Sequence, residues 1–392
     1  MTKLMMVVAV LALAGGCKKK SADEKPATPG SSQAMTPDDK MGSAMPGSGS
    51  GSGSATAAGS GGSGSGSAAP VAVTAESAQK LFDACWGYFN DAKWDDFKGC
   101  YAADAVREVP GAGGPPETGN QAITDGAKAF KAGLPDAKGE TQFVMINGHT
   151  MLSAVLITGT NSAALKMAGM PEMPATNKKV GYYYSQVVEL DDTGKVKHEW
   201  GFFDAATMIG QLAPNKDMPV RAALDKLMGP KEVAIAKDDA KEKANLETFA
   251  KLTDAFNKHD VKALGDLLDD KLMWAEVAEP KDATKAETLG TMPKMWKAFS
   301  DLKFTVTKSW AAGDYVAAVE SFDGTNDGDG EHMKKTGKKV SLPFLAFHKF
   351  ENGKNTMTWI IYQNLGFMTQ LGMAPPAPPA AGAGSGSAPA KK

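Results

Sequence analysis

Cysteine is scarce in this chain: three residues in 392, at positions 17, 85 and 100. Histidine is nearly as scarce, with five. Four of these, His149, His198, His259 and His332, fall near turns or strand ends with no His, Cys or carboxylate at ligand spacing, so they read as surface. No zinc spacing is present, and no metal or cofactor is expected. The phosphate-cradling glycine motifs and the serine nucleophile elbow are missing too, which removes P-loop and α/β-hydrolase chemistry. Charge of one sign is lacking: the formal net charge is −2, and nothing draws the chain to nucleic acid or to a strongly charged substrate. Long apolar runs are also absent. Leu4–Ala14 is too short to span a bilayer as a stable helix.

What is present begins with that short run. Lys3, Leu4–Ala14 and Gly15-Gly16-Cys17 read as a secretory signal. Leu13-Ala14-Gly15-Gly16-Cys17 resembles a bacterial lipobox with an extra glycine, which makes residues 1–17 a lipoprotein signal peptide and Cys17 the lipidated residue. Ordinary secretion, with Cys17 incidental, is the alternative. The expected location is the bacterial cell envelope, anchored to a membrane by lipid. Residues 18–70 are rich in Gly, Ser, Ala and Pro with almost no large apolar side chain. Such a segment cannot bury enough surface to offset its ordering entropy, and reads as a flexible tether of roughly 40 Å reach. The tail, 375–392, is of the same kind.

Between these ends the sequence repeats. Phe89-Asn90, Trp94, Phe97 and Tyr101 recur as Phe256-Asn257, Val261, Leu264 and Leu268, all displaced by the same 167 positions. Gly159-Thr160-Asn161 recurs as Gly324-Thr325-Asn326, Lys178-Lys179-Val180 as Lys338-Lys339-Val340, Trp200 as Trp359, and Gln211-Leu212 as Gln370-Leu371. These are two copies of one domain, placed at 71–214 and 242–374 with a linker over 215–241.

Within the first copy, helical spacing covers Glu76–Phe89, Trp94–Tyr101 and Ala122–Leu134. Strand patterns follow at Thr141–Ile146, Thr150–Thr158, Val180–Leu190 and Val196–Asp204. The second copy repeats the order, with helices at Asn245–Asn257, Val261–Leu268 and Met292–Phe299. Its strands are Phe304–Trp310, Tyr315–Phe322, Val340–Phe350 and Met357–Gln363. Helices first and antiparallel strands after give an α+β class. Cys85 and Cys100 are equidistant from the turn near residues 91–94, and their counterparts are Leu252 and Leu267, ordinary core positions. In an oxidising compartment they should form a disulfide. Two reduced, buried cysteines are the alternative.

The order of elements, Gly-Thr-Asn followed by a loop and Lys-Lys-Val, and a last strand through Trp to Asp204 and on to Gln-Leu, resembles the SnoaL-like polyketide cyclase or ester cyclase group of the nuclear transport factor 2-like superfamily. The resemblance implies two tandem cone-shaped domains, each a curved antiparallel sheet wrapped on helices around a pocket. It also implies Asp204 as the general base. The parity-mates Trp200 and Phe202 are then expected to wall the same cavity, with Trp86, Tyr184, His348, Trp359 and Gln363 as further ligand-binding candidates. The family's pocket histidine is missing from the first copy, while the second has His348 but Gln363 in place of the aspartate. Asp204 and Gln363 also fit a role as helix-capping polar groups.

Strand residues 341–350 are apolar on both parities, as are parts of 180–190, so each sheet is expected to be covered on both faces. Sheet-to-sheet packing of the two copies, an intramolecular pseudo-dimer, would provide that cover. Met167, Met170 and Met173 read as a lid over the pocket, with a Cu(I) site as the alternative. Asp323, Asp327, Asp329 and Glu331 read as a solvated acidic turn. Three functions fit: a membrane-anchored protein binding a small apolar or amphipathic ligand or a partner protein, a cyclase or isomerase acting on a small carbonyl compound, and a structural module whose cones are filled by their own side chains. No nucleic-acid partner is expected.

Overall fold

The computed structural model describes residues 73–112, 114–167, 172–214, 220–330 and 333–373. Cys17, the tether, Met170, Glu331, His332 and the tail lie outside them. The first copy runs α1 (Ala75–Asn90), α2 (Trp94–Gly99), β1 (Tyr101–Glu108), β2 (Glu117–Thr118), α3 (Asn120–Gly133), β3 (Lys138–Asn147), β4 (Thr150–Thr160), β5 (Lys179–Leu190), β6 (Val196–Phe202) and α4 (Ala205–Leu212). A short strand, β7 (Glu232–Ile235), lies in the connecting segment. The second copy runs α5 (Ala240–Asn257), α6 (Val261–Leu267), β8 (Leu268–Glu276), β9 (Ala283–Thr284), α7 (Lys285–Ala298), β10 (Lys303–Ala312), β11 (Tyr315–Thr325), β12 (Lys339–Glu351), β13 (Lys354–Tyr362) and α8 (Asn364–Leu371). The sheet orders are β2-β1-β6-β5-β4-β3-β7 and β10-β11-β12-β13-β8-β9. The fold is α+β, two sheets each wrapped on helices. The connecting segment is more than a linker, because β7 pairs in parallel with β3 and extends the first sheet.

The repeated phrases recur because each one ties down the same piece of backbone. Asn90 donates to the carbonyl of Gly139 and accepts from its amide. Asn257 does the same at Phe304. Asn161 and Asn326 are fully buried, donate to loop carbonyls, and accept from the amides of Thr176 and Thr336. Gln211 makes a two-way amide bond to the backbone of Gly181, and Gln370 makes the same one to Ser341. An unpaired backbone group away from water is costly, so these side chains are fold-determining.

Cys85 and Cys100 are joined as a disulfide with their Cα atoms 6.1 Å apart, tying α1 to the residue that follows α2. Their counterparts Leu252 and Leu267 pack in the second core.

Each sheet turns one face to its own helices and the other to the other sheet. Phe143, Leu152, Tyr183, Val187, Trp200 and Phe202 share the outer face of the first sheet, set by the cross-strand register. Phe143 meets Tyr315 at 4.5 Å and Phe347 at 5.2 Å between ring centroids, and Tyr183 meets Trp359 at 4.4 Å. Polar links flank this core: Asn147 to the carbonyl of Ala311 at 3.2 Å, and Lys308 to Glu189 at 3.1 Å. The two copies therefore pack sheet against sheet.

Candidate functional site

Inside the first copy, the helix-facing side of the sheet carries a cluster of polar groups. Glu199, on β6, is buried. Tyr101 donates its hydroxyl to one carboxylate oxygen at 2.7 Å and Tyr184 donates to the other at 2.6 Å. Arg107, across from Glu199 on β1, donates to Glu117 at 2.5 Å and to the carbonyl of Ile123 at 3.2 Å. Burial works against the charged guanidinium, but the nearby carboxylates of Glu199 and Glu117 outweigh it and raise the Arg107 pKa. Both phenols are pushed well up, first by burial and then by the charge of Glu199. They stay protonated and act as donors.

Two glycines make the cluster possible. Tyr184 crosses over Gly201 to reach Glu199; a Cβ on Gly201 would lie 2.2 Å from the Tyr184 hydroxyl. A Cβ on Gly126, in α3, would lie 2.0 Å from Glu117 and 2.9 Å from Arg107.

Beside this cluster the floor has polar groups without partners. Ser153, Gln186 and Gly201 face one another across β4, β5 and β6. Ser153 is 0% exposed and its hydroxyl makes no hydrogen bond among the described residues. Gln186 is 6% exposed, and its side-chain amide also bonds to nothing among them. The half-buried Trp86 of α1 lies against Gly139 of β3, where an added Cβ would come within 2.3 Å of its ring, and that ring is 6.2 Å from the ring of Tyr184. Met167 and Met173 pack against the same core.

The second copy differs at each of these places. The equivalent strand registers put Ala318 where the first copy has Ser153, Ala346 for Gln186, Ile360 for Gly201 and Phe344 for Tyr184. On the same registers Thr358 replaces Glu199, Trp274 replaces Arg107, and Ala283 replaces Glu117. Phe304, Phe322, Phe344, Phe367 and Phe299 interlock edge to face there. Aromatic rings thus pack together in the second copy where the first has its polar cluster.

The sequence profile of the SnoaL-like polyketide cyclases matches residues 76–212 and again residues 247–371. The chain belongs to the SnoaL-like polyketide cyclase family. Among solved structures it is similar to AclR, a candidate hydroxylase from Streptomyces galilaeus, with 22% identity over 35% of this chain and 91% of that one at a TM-score of 0.32. It is also similar to IdmH, a candidate polyketide cyclase from Streptomyces antibioticus, with 23% identity over 33% of this chain and 98% of that one at a TM-score of 0.30. TsrD from Streptomyces laurentii matches with 21% identity over 35% of this chain and 98% of that one at a TM-score of 0.30. No curated protein matches.

In this SnoaL-like chain, only Trp86 and Tyr184 among the expected ligand residues stand at the polar cluster. Trp200 and Phe202 do not wall a cavity with Asp204; they lie on the outer face, turned to the second sheet, and His198 stacks on Trp200 at 3.7 Å. His198 is thus half-buried rather than a surface residue, and it pairs with Glu108 at 2.9 Å. Trp359 packs against Tyr183 and Phe347 between the sheets.

His348 is buried on the helix side of the second sheet. It bonds to Thr358 at 3.1 Å, packs on Phe249, and lies 3.8 Å from Glu320.

Asp204 is the N-cap of α4. Its carboxylate accepts from the amides of Ala206 at 3.1 Å and Thr207 at 2.9 Å, the Thr207 hydroxyl at 2.6 Å and the amide of Asn364 at 3.1 Å. Burial raises its pKa and these bonds oppose the rise. A small cavity of about 20 Å³ beside it, lined by Tyr182, Tyr183, Arg221, Val277 and Trp359 among others, has room for about one water. Gln363, the N-cap position of α8, accepts from the amide of Ala205 at 3.2 Å. The cluster of Tyr101, Arg107, Glu117 and Glu199, with Ser153 and Gln186, is what sequence reasoning passed over. The available signal was the column-by-column contrast between copies, polar in one and apolar in the other.

Proposed function

We propose that this SnoaL-like chain is a ligand-binding protein. Its first copy takes a small molecule with an apolar body and a polar group, and its second copy is a permanently attached structural partner. The observation that carries this reading is the sealed, unpartnered hydroxyl of Ser153, with Gln186 and Glu199 beside it. A buried polar group without a hydrogen bond costs on the order of 1–3 kcal/mol, and a core free to choose has Ala at both places, as the second copy does. A ligand's polar group would satisfy the floor, while Trp86 and Tyr184 would hold its apolar body. Native mass spectrometry of the chain purified from its own host tests this. Added mass should appear on the wild type and vanish from the Ser153→Ala, Gln186→Ala double variant. No added mass under any mild condition would count against it.

The buried Glu199 carboxylate, with tyrosine hydroxyls as donors, also favours a second reading. Acid–base chemistry on a carbonyl compound needs a base and a donor to the developing enolate, and Glu199 with Tyr101 or Tyr184 supplies both. We assign Asp204 to joining the copies rather than to proton transfer, since four donors already occupy its carboxylate. In an enzyme, Glu199→Gln would abolish turnover while binding survived. A turnover that depends on Asp204 instead would overturn this assignment.

We further infer from the lipobox-like sequence ending at Cys17 that the chain is a lipoprotein held at the envelope. Several acyl chains at roughly 0.8 kcal/mol per buried methylene hold firmly. Radioactive palmitate should label the wild type and not the Cys17→Ala variant; an unlabelled wild type removes the proposal.

A further inference from the structure

Resting on the binding site proposed for the first copy, the pattern of acceptors and charge in that site narrows the ligand's chemistry. Glu117 and Glu199 are two carboxylates against the single guanidinium of Arg107, a formal charge of −1 for the cluster. Arg107 donates through Nε to Glu117 and through Nη2 to the Ile123 carbonyl, so its charge is already paired with a carboxylate. Lys131, the ammonium on α3, is turned away to the carbonyls of Phe89 and Asn90 at 2.8 and 2.5 Å. Each Glu199 oxygen takes one tyrosine hydroxyl, and a carboxylate oxygen has a second acceptor site to offer.

Three acceptors then share one face of the sheet. Gln186 and Ser153 are direct cross-strand partners, and Gly201 continues the row on β6. Glu199 is two residues from Gly201, the diagonal neighbour of Gln186, and diagonal neighbours lie within reach of long side chains. The hydroxyl of Ser153 is sealed and without a partner among the described residues, and no hydrogen bond from them reaches the side-chain amide of Gln186, so each has an oxygen free to accept. An ammonium carries three donors and no acceptor, which matches three acceptors around a net negative charge. The aromatic rings beside them, Trp86 and Tyr184, add the attraction of a π-face for a cation.

We propose that the first copy binds a primary amine on an apolar body, its ammonium received by Glu199, Gln186 and Ser153 and its body by Trp86 and Tyr184. A carboxylate or phosphate in the same place would meet two carboxylates and a guanidinium whose charge one of them already balances.

Three probes of one shape test this on the full chain by calorimetric titration: 2-phenylethylamine, 2-phenylethanol and phenylacetate. The amine should bind roughly tenfold or more tighter than the alcohol, and phenylacetate should bind weakest. Glu199→Gln should erase the preference of amine over alcohol. Should this variant fail to fold, Ser153→Ala, which removes one acceptor and adds no strain, should weaken the amine more than the alcohol. Alcohol or phenylacetate binding as tightly as the amine overturns the amine assignment and leaves the site itself standing. Binding of none of the three, in a chain that carries no retained ligand, overturns both.

Discussion

Asp204 and Gln363 hold equivalent places in the two copies, and each accepts a hydrogen bond from the other copy's final helix. The amide of Asn364 donates to Asp204 at 3.1 Å, and that of Ala205 donates to Gln363 at 3.2 Å. Both side chains are nearly sealed, at 2% and 3% exposure. The first amides of a helix lack partners within it, and here each helix start borrows one across the junction. A carboxylate on both sides would set two like charges together in a dry site; the amide of Gln363 avoids that.

Gln363→Glu keeps the shape and adds the second charge. It should cost about 2–4 kcal/mol at neutral pH, read as a drop in urea midpoint. Adding Asp204→Asn should recover more than about 1 kcal/mol beyond additivity. Strictly additive losses would mean the two sites do not sense each other.

The disulfide closes a short loop, for which chain entropy gives about 3 kcal/mol. The Cys85→Ala, Cys100→Ala variant should lose about that much in chemical unfolding. The Cys85→Leu, Cys100→Leu variant should lose less, because Leu252 and Leu267 show that this corner accepts leucine. Equal losses in the two variants would show that the corner cannot repack around larger side chains.

Glu279, in the turn after β8, has its pKa raised from 4.5 to about 8, first by burial and then by Glu276, with Arg221 opposing. A carboxyl that holds its proton more tightly folded than unfolded contributes stability that is fully present below about pH 4.5. That contribution is lost as the pH rises through about 8. Unfolding midpoints should therefore fall across that window, and Glu279→Gln should flatten the fall. An unchanged slope in the variant would place the titration elsewhere.

Much of the fold could be read from the sequence. The recurring Phe-Asn, Gly-Thr-Asn and Gln-Leu phrases survive in both copies because their amide side chains anchor the same backbone turns, and apolar residues on both strand parities told of a second covering layer. The polar site could not be read in the same way. Alternation says that Trp200 and Phe202 share a face but not which one, and a sheet covered on both faces offers no polar contrast to decide it. The general-base expectation for Asp204 followed its place after the last strand, yet an aspartate just before a helix is equally an N-cap, and its bonds show it capping α4. The bounds of β1 could not be read because Tyr101–Glu108 carries few β-branched residues.

The most direct test of a first copy built for binding is the stability of its floor without the polar groups. Ser153→Ala with Gln186→Met keeps the volume close and removes both unpartnered groups. Equilibrium urea unfolding should show a midpoint equal to or above that of the wild type, since a buried polar group without a bond costs about 1–3 kcal/mol and sites kept for function are held at the expense of stability. A loss of more than about 1 kcal/mol would mean that Ser153 and Gln186 sustain the fold, and would contradict a floor reserved for a ligand.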